Sequence, residues 1–332
     1  MYDLCIIGGG PAGVAAGVYA ARKKIKTVLI TENFRNQSAD SENIQNWIGT
    51  ISISGEKLAS SLEEHIKSYS NDINIKEKET VLELIKNSDG TFIIKTNKTE
   101  YSSKTVLIAS GSVRRKLNMK GAEKFEGKGI TYCATCDGPL FSGMDVIVIG
   151  GGNSAFESAS QLSAYAKSVT IVQRSDFRAD PITIKKVLSN PKIRGISNVD
   201  LLEIKGDKFV ESLIYNDKDT EKEVELPASG IFVEIGADPS VKYLNNEIVK
   251  FNEKNEVIVD KNQKTSQPGI WAAGDCTDGL YKQNNIAAGD AAKALEDIYK
   301  FLIATARAKT INVLKNPNKA SGRVILILPG FG

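Results

Sequence analysis

The feature that most constrains this chain is a strand, glycine turn and helix unit that occurs twice. Residues 2–7 form a short apolar run ending in Ile6 and Ile7. Gly8, Gly9, Gly10, Pro11, Ala12 and Gly13 follow, then a small-residue stretch from Val14 to Ala21. The spacing predicts a buried strand, a tight turn and a closely packed helix. Gly8 permits the turn, Gly10 lets the backbone approach a pyrophosphate, and Gly13 lets the helix settle on the strand. The helix N-terminus then faces phosphate oxygens. A second strand is expected at 27–30, and Glu32 stands nineteen positions past Gly13, where an acid can accept from a ribose hydroxyl. A purely structural glycine turn gives the same pattern, so one copy alone decides little.

The second copy changes that balance. An apolar strand at 145–149 leads into Gly150, Gly151, Gly152, Asn153, Ser154 and Ala155, 142 positions after Gly8. A helix is expected over 156–166 and a strand over 169–172. Each unit is followed by strand-rich sequence with period-2 alternation: 81–85 and 91–96 after the first, 199–204 and 209–215 after the second. Polar turns such as 87–90 separate these runs, which predicts antiparallel β-meanders. Each half closes on a strand and a glycine, through Ala109 to Gly111 and through Ile235 to Gly236. The chain therefore reads as an internal duplication of a dinucleotide-binding domain, with two dinucleotides.

The copies differ where the nucleotide is read. Nineteen positions past Ala155 stands Arg174, where the first copy has Glu32, and Arg178 follows four residues later. An acid would repel a ribose 2′-phosphate, whereas a guanidinium grips it bidentately. Copy one thus reads as an FAD site and copy two as an NADP site. Ordinary surface ion pairs are the competing account of the two arginines.

Between the copies lies Cys133-Ala134-Thr135-Cys136-Asp137. Two thiols separated by two residues can close a disulfide, and a helix N-terminus would lower their pKa. Asp137 could move the proton that dithiol–disulfide exchange requires. Half of a zinc site is the alternative, but zinc needs about four ligands. The chain offers only Cys5, Cys276 and one histidine, His65, besides the pair. No metal is expected. Cys5 reads as a core residue, and His65, in an amphipathic helix over 55–69, is given no chemistry.

Composition enters as a set of exclusions. At 332 residues the chain is long enough for two domains, and 41% hydrophobic with 25% charged residues is ordinary for a folded one. A net charge of +3 gives no reason to expect nucleic acid, and no apolar run is long enough to cross a membrane. The N-terminus lacks a basic region and a cleavage site. The expectation is a cytoplasmic protein.

Together these motifs resemble the low-molecular-weight thioredoxin reductase family, and also the reductase portion of the alkyl hydroperoxide reductase flavoprotein. The carrying residues are Gly8 to Gly13, Cys133 to Asp137, Gly150 to Ala155, and Trp271 with Gly274 and Asp275; the resemblance runs from Tyr2 to about Leu302. It implies an α/β fold of two Rossmann-like three-layer dinucleotide-binding domains, the second inserted in the first, each with a β-meander. An FAD domain would take 1–112 and 240–303, and an NADPH domain carrying the dithiol 113–239. On the flavin side the resemblance implicates Gln37, Asn46, Val81, Ala109, Gly111, Gly274 and Asp275 on the ribityl chain, and Lys282 and Gln283 by the ring. On the NADPH side it implicates Asn153, Ser154, Glu157, Ile235 and Gly236 beside the two arginines. It implies that Cys136 faces the flavin, that Cys133 attacks the substrate disulfide, and that Asp137 is the acid. A thioredoxin-like protein would be the partner, a homodimer the assembly, and a domain rotation the means of alternating partners at the flavin.

Four departures qualify the resemblance. Arg35-Asn36-Gln37 stands where the family carries two glycines before the glutamine, and Gln173 stands where an arginine would precede Arg174. NADH or ferredoxin is therefore kept as an alternative donor. The sequences around Lys282 and Cys276 look more like the peroxiredoxin-reducing branch, but the chain starts at the FAD strand, so a separate protein is expected to receive its electrons. Residues 304–332, basic and then apolar, carry no chemical motif; a strand, a partner contact or an unstructured end are the readings. A different class, a non-catalytic nucleotide-binding module recruiting partners, would lack flavin.

Overall fold

The computed structural model describes residues 1–35, 37–40 and 44–315. The first part runs β1 (Tyr2–Ile7), α1 (Pro11–Arg22), β2 (Thr27–Thr31), α2 (Gly55–Lys67), β3 (Ile73–Glu77), β4 (Val81–Lys86), β5 (Phe92–Thr96), β6 (Glu100–Ile108) and β7 (Ser112–Arg114). The middle runs β8 (Ile130–Thr131), α3 (Ala134–Asp137), β9 (Asp145–Ile149), α4 (Asn153–Leu162), β10 (Ser168–Val172), α5 (Pro181–Leu188), β11 (Ile193–Ile196), β12 (Val199–Gly206), β13 (Val210–Asp217), β14 (Lys222–Pro227), β15 (Gly230–Val233) and β16 (Ala237–Pro239). Strand β17 (Ile270–Ala272) and helix α6 (Asn284–Lys315) close the described chain.

Seven strands form the first sheet, in the order β3-β2-β1-β6-β5-β4, with β17 also on β6. The long strand β6 explains how a parallel sheet and a meander share one layer. Its first half takes β5 antiparallel, and its second half takes β1 on one edge and β17 on the other, both parallel. Successive side chains of a strand point to opposite faces. Leu4 and Ile6 accordingly join Val14, Trp271 and Leu295 beneath α1 and α6, while Cys5 and Ile7 join Phe92, Ile94 and Val257 on the other face. Both faces are covered from Leu4 onward, so β1 is apolar over Leu4 to Ile7.

The second sheet is parallel, in the order β11-β10-β9-β15-β8, with the antiparallel β12-β13-β14 as a separate sheet. Val146 and Val148 pack with Phe156 and Leu162 of α4, and Ile147 and Ile149 pack against Leu213 and Tyr215 of β13. Each half is thus helix, parallel sheet and meander, as the duplication predicts. The expected helix over 156–166 begins three residues earlier, at Asn153. Two short antiparallel strands, β7 and β16, carry the chain between the sheets, with Ser112 opposite Pro239 and Arg114 opposite Ala237. Helix α6 continues well past Leu302 to Lys315, so the first part of the unassigned basic segment is helical. Residues 316–332 lie outside the described residues, as does Asn36.

Candidate active site

Both glycine turns are built alike. Gly8 has φ +120° and Gly150 φ +147°, conformations that favour glycine. A Cβ on Gly8 would lie 2.2 Å from the Ala109 carbonyl oxygen, and one on Gly150 would lie 2.3 Å from that of Glu234. A Cβ on Gly13 would meet the Gly8 oxygen at 1.9 Å, so Gly13 serves helix–strand contact as expected. By contrast, a Cβ on Gly152 would meet nothing within 4 Å, which leaves the backbone open to a ligand.

The helix N-termini carry the same message. Helix α2 is capped by Ser54, whose Oγ accepts from the Lys57 N–H at 3.3 Å. Helices α1 and α4 begin at Gly10 and Gly152 with no side-chain cap. Their first N–H groups are the orphans that an anion can satisfy.

A cavity of about 990 Å³ runs from the first turn to the cysteine pair. Gly8, Gly10, Pro11 and Ala12 line one end with Glu32 and Val81, and Ala109, Gly111, Gln37, Gly274, Asp275, Lys282 and Gln283 continue the wall. Cys133, Cys136 and Asp137 close the other end. Asn46 stands behind this wall, its Nδ2 donating to Gln283 Oε1 at 3.1 Å. The lining suits a dinucleotide: a side-chain-free turn at an uncapped helix end and an acid, Glu32, share one cavity of about 990 Å³.

Cys133 and Cys136 are joined as a disulfide, with Cα atoms 5.3 Å apart. Cys133 is the N-cap of α3 and Cys136 lies within it, so the pair stands at a helix N-terminus, of a single four-residue turn. The turn is held by local bonds. The Cys136 N–H donates to Cys133 Sγ at 3.1 Å, and the Asp137 N–H to the Cys133 carbonyl at 3.0 Å. Thr135 Oγ1 donates to Gln161 Oε1 of α4 at 3.1 Å, tying the dithiol to the second nucleotide helix. Asp137 is buried, and Thr131 Oγ1 donates to its Oδ2.

The residues expected to read the second nucleotide lie elsewhere. Neither the second turn nor Arg174, Arg178, Ile235 or Gly236 lines this cavity. Arg174 and Arg178 are exposed, and among the described residues neither has a carboxylate partner. The Arg178 N–H donates to the Gly151 carbonyl at 2.6 Å, which pins this loop to the glycine turn. Glu157 is exposed on α4. Gln173 is buried, its Nε2 on Ser175 Oγ at 3.3 Å, and faces Gly151.

Two charged residues here escape sequence reasoning. Arg114 of β7 lines the cavity with its Nε on Gln37 Oε1 at 3.0 Å. Glu234, just after β15, accepts from Ser158 Oγ at 2.6 Å. Burial holds the Glu234 carboxyl above its usual range, opposed by the Ser158 hydrogen bond and Arg114. Burial also raises Asp275, opposed by Lys282 and Arg114. Nothing in their spacing marks either residue, because they converge only through the pairing of β7 with β16.

The remaining cysteines are inert by position. Cys5 and Cys276 are both fully buried, and burial pushes both thiols up, that of Cys276 to about 11. His65 is exposed on α2. Among the described residues no cluster could hold a metal ion, and no helix is long and apolar enough to cross a membrane.

Comparison with known proteins agrees with this geometry. Residues 2–292 match the family model described as pyridine nucleotide-disulphide oxidoreductase. The chain belongs to that family. Curated relatives of this oxidoreductase include an NADH dehydrogenase of Bacillus subtilis, 39% identical over 303 residues, covering 91% of this chain and 59% of the relative. Another is an alkyl hydroperoxide reductase component of Pseudomonas putida, 40% identical over 309 residues, covering 92% of this chain and 59% of the relative. The chain thus spans about three-fifths of the length of these curated relatives. Thioredoxin reductase from Streptococcus pyogenes superposes with a TM-score of 0.85 at 32% identity, covering 92% of this chain and 99% of that one. The enzyme from Giardia duodenalis gives 0.86 at 31% identity, covering 91% and 99%. The oxidoreductase therefore has the thioredoxin reductase architecture, with two Rossmann-like dinucleotide-binding domains, and its family is one of flavin and pyridine nucleotide.

Proposed function

We propose that this chain is an FAD-dependent disulfide reductase that passes an electron pair from NADPH, through Cys133 and Cys136, to the disulfide of a thioredoxin-like protein. The observation that carries the reading is the Cys133–Cys136 disulfide in the wall of the cavity whose far end is the first glycine turn. FAD, when bound, would accept a hydride from the nicotinamide and hand two electrons to a disulfide. Gly8 to Gly13 and Glu32 would hold its pyrophosphate and ribose, and Asp275 its ribityl chain. Lys282, Gln283, Gln37 and Asn46 would shape the ring end.

The chain's own groups supply the rest. Reduced Cys133 attacks the partner's disulfide, and Cys136 then displaces the partner as a dithiol while the enzyme disulfide re-forms. Asp137 holds the proton for the leaving sulfur, with Thr131 fixing its Oδ2. We assign 1–112 with 240–303 to the FAD unit and 113–239 to the NADPH unit, turning about β7 and β16. A homodimer in the cytoplasm belongs to the same reading.

NADPH as donor is supported by Arg174 and Arg178, exposed beside the second turn. A second reading takes NADH, because Gln173 is buried and bonded where a further arginine would help hold a phosphate. Anaerobic titration of the yellow protein with each nucleotide tests both. Strong bleaching by NADPH and weak bleaching by NADH is the expected result; equal bleaching favours the second reading. In the same assay Cys136→Ser should still bleach with NADPH yet lose turnover with thioredoxin. Retained turnover in that variant would sink the dithiol assignment.

A further inference from the structure

The loop that leaves β10 is held from both ends. The Arg178 and Ala179 N–H groups both donate to the Gly151 carbonyl, at 2.6 and 3.0 Å, which ties its far end to the second glycine turn. Its near end is met by the meander. The carbonyls of Gln173, Arg174 and Ser175 accept in turn from the Val199 N–H at 3.3 Å, Lys218 Nζ at 3.1 Å and the Asn198 N–H at 3.5 Å. Two of these donors are backbone groups, which any sequence would supply. The third is a charged side chain reaching across from the end of β13.

The Lys218 ammonium thus sits on the backbone from which the Arg174 side chain projects. It also pairs with Asp200 of β12, Nζ to Oδ1 at 3.0 Å. Both side chains of that pair are exposed, at 37% and 55%, and such a pair holds its lysine weakly. Two other acids at this edge are engaged: Asp219 accepts from Asn198 Nδ2 at 2.7 Å, and Asp180 from Asn153 Nδ2 at 3.0 Å. Asp176 is the acid of the loop itself and is exposed. Gln173 adds no charge, because it is neutral and turned inward against Gly151. Lys218 therefore brings to Arg174 a cation that the loop's own sequence does not place there.

We propose that Lys218 is a specificity-determining residue for the nicotinamide nucleotide, supplying beside Arg174 the charge for a 2′-phosphate that Gln173 leaves out. The inference rests on the reading of the second turn as an NADPH site. A phosphate monoester carries nearly two negative charges and accepts several charge-assisted hydrogen bonds at once. NADH has a neutral hydroxyl at the same position. Lys218 acting through its charge therefore favours one nucleotide, whereas Lys218 acting only as a brace on the Arg174 carbonyl serves both alike. Asp200 opposes the effect, since it competes for the ammonium and repels the phosphate.

The test is calorimetric titration of the flavin-loaded protein with NADP+ and, separately, with NAD+. Lys218→Met should weaken NADP+ about fivefold and leave NAD+ within about twofold of the parent. Lys218→Arg should keep the parent's preference. Lys218→Gln, which can still donate to the Arg174 carbonyl but carries no charge, should behave like the methionine variant. Asp200→Asn should act in the opposite direction, tightening NADP+ and not NAD+. An unchanged preference in Lys218→Met, a loss shared equally by both nucleotides, or full rescue by Lys218→Gln would overturn the proposal. The parent protein reports separately on the NADPH reading: no preference for NADP+ there defeats that reading, whereas a preference that survives Lys218→Met defeats only the role of Lys218.

Discussion

At the scale of single residues, the cavity keeps charge in places where charge is costly. Asp275 is the clearest case, its carboxyl raised by burial against the pull of Lys282 and Arg114. A carboxyl with a folded-state pKa above its unfolded value binds its proton more tightly when folded. Its contribution to stability is then full below the unfolded pKa and is lost as pH rises through the folded one. Asp275→Asn should therefore raise the melting temperature of the flavin-free protein at neutral pH, the gain shrinking as pH falls toward about 4. The same substitution should weaken flavin retention if, as proposed, the Asp275 carboxylate accepts from the ribityl hydroxyls. Melting curves across that range, with flavin content measured alongside, check both. A lower melting temperature at neutral pH would mean that Lys282 and Arg114 outweigh burial.

At the scale of elements, the two outer glycines of the second turn do different work. Gly150 has φ +147° and no room, its Cβ position lying 2.3 Å from the Glu234 oxygen. Gly150→Ala should cost about 2–4 kcal/mol, from backbone strain and overpacking together. Gly152 has φ −92° and open space. Gly152→Ala should leave denaturant stability nearly unchanged while weakening nucleotide binding, since its Cβ would stand where phosphate approaches an uncapped helix end. Chemical denaturation and nucleotide titration of the two variants separate the roles. Similar stability losses in both would remove the distinction.

At the scale of the molecule, one cavity holds the first glycine turn and the dithiol, and the second glycine turn lies outside it. In the proposed reading, a nicotinamide on the second turn reaches the flavin when the second unit turns about β7 and β16, and the dithiol, tied to α4 through Thr135 and Gln161, moves away with it. Bleaching of the flavin by NADPH in stopped flow should therefore slow as sucrose raises solvent viscosity, roughly in proportion if the turn limits the rate. A rate indifferent to viscosity would place the nicotinamide already at the flavin.

Much of this architecture is legible in the sequence because it is local. Glycine spacing, strand alternation and the paired cysteines are short-range patterns; β1, α1 and β9 fall where those patterns place them, and α4 is displaced toward the glycine turn, over Asn153–Leu162. The two meanders follow for the same reason, since antiparallel neighbours need only a turn between them. Arg114 and Glu234 carry no local signal, being ordinary charged residues until β7 meets β16 across more than a hundred positions. The sequence by itself determined that there would be two nucleotide turns and a thiol pair. Only the tertiary structure decided which turn shares a cavity with the thiols and which charges surround them, because burial and electrostatics depend on contacts between segments that no local spacing encodes.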